Sequence, residues 1–131
     1  MASENVELVR NAFEAWRRGD VDELAQLIDP NVEWSWWEPG PWDCHGREQV
    51  LQVMRERDRQ GVKGELEELL DAGDKVMIGV RGPDLERFFG DGQDRVYNVF
   101  TFRNGKVVRM QDYRTRDEAL AGVGLSEGLS G

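Results

Sequence analysis

The chain has 131 residues and a formal net charge of −9, with a single cysteine and a single histidine. That length suits one domain with a proper core, and the acidic balance, with seventeen Lys and Arg scattered through it, argues against a nucleic-acid partner. One cysteine excludes an internal disulfide and cannot build a zinc site by itself, and no apolar run approaches the ~18 residues of a membrane-spanning helix.

The opening stretch, MASENVELVR, lacks the basic-then-apolar layout of a secretory signal, so a reducing, cytoplasmic setting is expected. Ser3 can cap a first helix on which Val6, Val9, Phe13 and Trp16 follow helical spacing, with Gly19 as its stop. Asp20 opens a second helix with Glu23 in the capping-box position and Leu24, Leu27 and Ile28 as its buried face. Asp29-Pro30-Asn31 interrupts the pattern, and Val32 to Trp37 predicts a strand that Pro39 and Pro41 end. The third helix is REQVLQVMRERDRQ, with Val50, Val53 and Met54 inward, the charged run Arg55 to Arg59 outward, and Gly61 as its stop.

Beyond Lys63 the period changes to two. Strands are expected at Gly64–Leu70, Lys75–Arg81, Arg95–Arg103 and Lys106–Arg114, with an extension at Leu85–Phe89. Glu65, Glu67, Glu68 and Asp71 then form a solvated strand edge, and a short helix covers Arg116–Leu120. Helices gathered first and strands later indicate an α+β domain, a curved antiparallel sheet with one face covered by helices. Residues 1–121 are read as that one domain and 122–131 as a flexible tail.

Asn104-Gly105 marks a hairpin with two competing loops. A two-residue loop pairs Arg103 with Lys106; a three-residue loop pairs Phe102 with Lys106 and sets Asn98 opposite Met110 and Val96 opposite Asp112. The three-residue loop is preferred here, because it puts Val96, Asn98, Phe100, Phe102, Val108, Met110 and Asp112 on one mostly apolar face. Asn98 and Asp112 are the polar exceptions on it. A buried carboxylate without a partner costs several kcal/mol or takes up a proton, so Asp112 is expected either to pair, with Arg114 nearby, or to line a cavity.

The segments GDVDELAQLIDPNVEW, HGREQVLQVMR and VYNVFTFRNGKVVRMQDY, in this order, resemble the nuclear-transport-factor-two-like superfamily. Within it the chain is similar to SnoaL-like polyketide cyclases and ketosteroid isomerases, over roughly Val6 to Leu120. The resemblance implies a cone: a curved sheet wrapped around three helices, with a deep hydrophobic pocket. It also implies a homodimer through the outer sheet face around Tyr97, Val99 and Gln111. The isomerase machinery does not carry over. Trp34 stands at the position of the base, Ala12 near that of the oxyanion tyrosine, and Asn98 at that of the partner acid. SnoaL-like cyclases take a base from the last strand, where Asp112 lies.

The candidate catalytic residues are therefore Asp112 as base, Asn98 as oxyanion or ligand donor, and His45, whose ordinary pKa of about 6.5 suits proton transfer. His45 precedes Gly46 at a helix start, where it can equally bond turn backbone, and Cys44 reads as a small semi-buried residue. Trp16, Trp34, Trp36, Trp42, Met54, Ile78, Val80, Phe100 and Met110 are the candidate ligand-binding residues, for a small hydrophobic ligand. Burying a Trp is worth about 4–6 kcal/mol at most, enough for packing alone to explain Trp34 and Trp16. No metal or cofactor set is evident. Two functions stay open: a cofactor-free isomerase- or cyclase-type enzyme acting on a carbonyl or epoxide ligand, and a non-catalytic ligand-binding or association domain of the same fold.

Overall fold

The computed structural model describes residues 4–35, 43–61, 64–82, 85 and 94–124. Ser3, Trp36, Trp37, Trp42 and the expected extension beyond Leu85 lie outside them. In chain order the elements are α1 (Glu4–Arg18), α2 (Val21–Leu27), β1 (Ile28–Ser35), β2 (Cys44–His45), α3 (Arg47–Arg59), β3 (Glu65–Asp71), β4 (Lys75–Arg81), β5 (Arg95–Arg103), β6 (Lys106–Tyr113) and α4 (Arg116–Gly122). The six strands form one open, curved sheet in the order β2-β1-β6-β5-β4-β3.

Helix α1 buries Val6, Val9 and Phe13 along one stripe, and Trp16 packs half-buried beside them. Gly19 turns the chain at φ 74°. Asp20 then caps α2 by accepting from the Glu23 amide at 3.1 Å. Helix α2 passes directly into the sheet, because Ile28 is already extended. Ile28 is thus the first residue of β1 and not part of the helical face assigned to it. Nor does Asp29-Pro30-Asn31 break the strand: it forms an irregularity within β1, where the Asp29 carboxylate accepts from the Asn31 amide at 2.8 Å. Pro30 falls where the pairing with β6 shifts register, so its missing N–H costs no ladder bond.

Two features of the sheet depart from expectation. Strand β1 runs parallel to β6, whereas the other pairings are antiparallel, so the sheet is mixed. The two-residue β2 pairs with β1, Trp34 opposite Cys44 and Glu33 opposite His45. It makes Cys44 fully buried.

The hairpin is also different. Arg103 pairs with Lys106, a two-residue loop in which Asn104 and Gly105 both have positive φ, 54° and 75°. This is the primed-turn geometry that matches strand twist. Directly beyond the turn Phe102 pairs with Val107 but Thr101 with Arg109, so Val108 is an extra residue in β6. From there on Phe100 faces Met110 and Asn98 faces Asp112. Val107, not Val108, is the buried neighbour of Phe102.

The main core lies between the sheet's inner face and α1–α3. A second cluster lies on the outer face, where Met77 and Val99 are covered by Ala119 and Leu120 of α4. Arg116 pins α4 down by donating from Nε and Nη2 to Glu68. Glu67 meets Arg95 at 3.2 Å. Within the acidic edge of β3, Glu67 and Glu68 are therefore paired and not merely solvated, and Val99 is covered by this chain's own helix.

No atom lies within 4 Å of a Cβ built on Gly105. Gly105→Ala is expected to cost about 1–2 kcal/mol from the left-handed backbone alone, read as a lower urea midpoint with an unchanged slope.

Candidate functional site

The inner face of the sheet and helices α1–α3 enclose a cavity of about 120 Å³. Its wall is apolar over most of its extent: Leu8, Phe13 and Trp16 from α1, Ile78 and Val80 from β4, Phe100 and Phe102 from β5, Met110 from β6. Charged or amide side chains enter it at one place only among the described residues, where Arg57, Asn98 and Asp112 meet beside Trp34.

Three adjacent strands build that place. Trp34 on β1 pairs with Met110 on β6, and Asp112 lies two residues further on, facing the same side. Asn98 stands directly across from Asp112 on β5. Trp34 Nε1 donates to Asp112 Oδ1 at 2.9 Å, and Asn98 Nδ2 donates to the same oxygen at 2.5 Å. From above, α3 lays the Arg57 guanidinium over the Trp34 ring, 4.9 Å from its centroid. The indole thus offers its face to a cation and its edge to an anion. Trp34 is 2% and Asp112 1% exposed.

Burial pushes the Asp112 carboxyl up from 3.8 to about 6, and Asp43 adds to the rise. The Arg57 charge and the hydrogen bonds from Trp34 and Asn98 work against burial without cancelling it. Burial also pulls Arg57 down, opposed by Asp112 and Cys44. A guanidinium nevertheless stays protonated under such conditions. The buried Cys44 thiol is pushed up, chiefly by desolvation, which leaves it protonated and a poor nucleophile at neutral pH.

Of the residues expected from sequence, Asn98, Asp112, Trp16, Trp34, Met54, Ile78, Val80, Phe100 and Met110 all line this cavity. Trp36 and Trp42 lie outside the described residues. His45 is elsewhere: with its side chain 72% exposed, it sits at the edge of the sheet and bonds Glu33 through Nδ1. Strand parity explains the difference, since Trp34 and Cys44 point inward and their neighbours Glu33 and His45 point outward. Of the two outcomes expected for Asp112 the structure shows the second: it lines the cavity, accepting from Trp34 and Asn98, with Arg57 as the cation that acts on it.

Arg57 is the residue the sequence reading missed, by placing it in an outward charged run. The signal was present: Arg57 stands at i+7 from Val50, i+4 from Val53 and i+3 from Met54, on the same helical stripe. Among the described residues no group of three or more His, Cys, Asp and Glu is placed to hold a metal ion, and no helix is long and apolar enough to cross a membrane.

Two measurements test this electrostatic account. Between its ordinary value and about 6 Asp112 holds a proton in the folded state that the unfolded state has released. Folding stability must therefore fall as pH rises through that window and level off above it, a loss of about 3 kcal/mol at 1.36 kcal/mol per pKa unit. Asp112→Asn removes this contribution, so the variant's urea-unfolding free energy should gain on the wild type between pH 4 and 7; parallel profiles would contradict the assignment. Trp34→Phe takes one donor from the ionised carboxylate and should move the Asp112 carboxyl-carbon NMR titration to still higher pH.

A family model described as a SnoaL-like domain matches residues 9–110. Among solved structures the chain is similar to a candidate polyketide cyclase from Sinorhizobium meliloti, at 18% identity and a TM-score of 0.67, covering 82% of this chain and 94% of that one. Bal32a, from a soil-derived mobile gene cassette, is 28% identical with a TM-score of 0.66, covering 86% and 89%. A SnoaL-like protein of unknown function from Burkholderia thailandensis is 23% identical with a TM-score of 0.68, covering 86% and 96%. Comparison with curated proteins finds no match. The matched segment spans most of α1, all of α2 and α3, strands β1 to β5, the first part of β6 and most of the cavity wall, and on that extent the chain belongs to the SnoaL-like domain family.

Proposed function

We propose that the cavity binds a small, mostly apolar ligand carrying one polar oxygen, and that Asp112 moves a proton on it without a cofactor. The observation that carries this reading is the fully buried Asp112 in a cavity whose wall is otherwise almost wholly apolar. Ionised, such a carboxylate is a base whose pKa of about 6 suits exchange near neutral pH. Both of its named hydrogen bonds fall on Oδ1, and Oδ2 is the oxygen assigned to the ligand. Asn98 already donates to the base, so holding Asp112 is its first task, and its second amide hydrogen is what it can offer a ligand oxygen.

Size limits the ligand. An engineered apolar cavity of about 150 Å³ takes benzene. At about 120 Å³ this one suits a single ring or a short branched chain.

The competing reading is a ligand-holding or association domain without chemistry. The Trp34-Asp112-Asn98 bonds favour it, since they also satisfy the carboxylate as a structural group. Native mass spectrometry of purified protein addresses both, with a co-purified molecule of one-ring size and a dimer mass expected. For the dimer we assign the part of the outer sheet face that α4 leaves uncovered. With a turned-over ligand in hand, kcat/KM should rise with pH to a plateau above about 6. Asp112→Asn should lower it at least 100-fold while ligand binding persists. Retained turnover in that variant would remove Asp112 from the mechanism, and binding without any turnover would favour the non-catalytic domain.

A further inference from the structure

Asp112 and Asn98 belong to a row of residues that runs across the sheet. Asp112 of β6 pairs with Asn98 of β5, Asn98 with Ile78 of β4, and Ile78 with Leu69 of β3. This row faces the cavity and the main core. The adjoining row is Tyr113, Tyr97, Gly79 and Glu68 on the same four strands, and by strand alternation it faces outward. Among the described residues β1 pairs with β6 only as far as Gln111, so at both rows β6 is held by β5 alone.

The chain itself closes the outer row. After Tyr113 it turns at Thr115, which caps α4 by accepting from the Glu118 amide at 3.2 Å and donating to the Glu118 carboxylate at 2.9 Å. Helix α4 then folds back over Tyr113, so closely that a Cβ on Gly122 would lie 2.7 Å from the ring carbon bearing the hydroxyl. Arg116 reaches the far end of the row, donating to Glu68 from Nε at 3.0 Å and from Nη2 at 2.8 Å. Between the two ends the Tyr97 ring lies over Gly79, where an added Cβ would meet it at 3.1 Å. Ala119 and Leu120 cover Met77 and Val99, the outward neighbours of Ile78, Asn98 and Phe100. So α4 spans the back of the wall that carries the site.

We propose that the Arg116–Glu68 tie, acting through this outer row, positions Asp112 against Asn98 on the cavity side. Neither residue lines the cavity, and both are positioning residues. The two rows share one backbone, so β6 cannot part from β5 at Tyr113 and Tyr97 without loosening Asp112 from Asn98. Groups that act together must be held to within about 0.5 Å, and here no second strand flanks β6 to do it. The tie does it from behind, across all four strands. This rests on Asp112 being the working carboxylate, and it adds the groups that hold it in place. The tied side chains are 42% and 30% exposed, so the pair adds little to global stability and its local effect can be read apart from it.

Arg116→Met and, from the other side, Glu68→Gln cut the tie in the full-length protein. Arg116→Glu combined with Glu68→Arg is the rescue, and Gly105→Ala is the control that loses stability at the far end of the same hairpin. Releasing the row admits water to a carboxyl raised chiefly by desolvation. In each single variant the Asp112 carboxyl-carbon NMR titration should therefore move down by at least about half a pH unit. The groups that face Asp112, which are Arg57 of α3, Asp43 and Cys44 beside β2, Trp34 and Asn98, are all left in place. Amide hydrogen exchange over residues 97–99 and 111–113 should quicken at least about tenfold while the urea midpoint stays near that of the wild type. The paired exchange of charges should restore both readings, and Gly105→Ala should leave the titration where it was. Single variants that titrate within about 0.2 pH units of the wild type and exchange at its rate overturn the tie and leave Asp112 standing as the base. So does a control that moves as far as they do, or a rescue that restores nothing. A wild-type titration at the ordinary carboxylate value sinks the base instead, and amide exchange alone then decides the tie.

Discussion

Asp112 Oδ1 accepts from Trp34 on one neighbouring strand and from Asn98 on the other, so a single buried oxygen ties β1, β6 and β5 together at the polar end of the cavity. Three favourable influences act on the ionised carboxylate there: two hydrogen bonds and the Arg57 charge. Desolvation outweighs them all. The reason is the wall, which replaces water around the carboxyl with Met110, Phe100 and the indole of Trp34. Arg57 cannot compensate fully because it is itself withdrawn from water. A polar cluster this closely packed against hydrocarbon keeps its charges on only a narrow margin.

The cluster exists because of one extra residue. A two-residue turn carried down a regular ladder would set Asn98 opposite Gln111 and turn Asp112 to the outer face with Tyr97. Val108, inserted as a bulge, restores the inward facing and brings Asn98 directly across from Asp112. The turn itself is dictated by Asn104 and Gly105, both tolerant of positive φ. Nothing equally local dictates the bulge. Its effect is to bury Val107 beside Phe102 and to let Val108 sit partly exposed.

This hairpin also shows how far the sequence could be read. The three-residue loop expected from the apolar pattern and the observed turn plus bulge differ by two residues of register. A shift of two preserves which face each side chain takes, so Asn98 and Asp112 were placed inward correctly with the wrong cross-strand partners. Period-two patterning reports faces and is blind to such compensated slips. The ends of β4 and β5 were legible because each is a largely apolar run closed by a basic residue at both ends, Lys75 and Arg81, Arg95 and Arg103. Strand β1 was not, because Pro30 signals a break that a local irregularity absorbs. Arg57 was hidden by its charge, although its helical spacing matched Met54 and Val53. Composition made His45 conspicuous, but parity places it on the wrong side of the sheet. Pairing of Arg116 with Glu68 links residues 48 apart in sequence, which no local pattern encodes.

The carboxylate itself is harder to explain by stability than by chemistry. With a folded pKa near 6, an ionised Asp112 weighs against folding at neutral pH by about 3 kcal/mol, a large part of the ~5–15 kcal/mol that holds a typical domain together. An asparagine there could still accept from Trp34 without that cost. Trp34 points the same way. Packing alone would accept a phenylalanine in its place, whereas the indole supplies an N–H for the anion and a π face for the cation. One side chain thus serves a buried anion at its edge and a buried cation at its face.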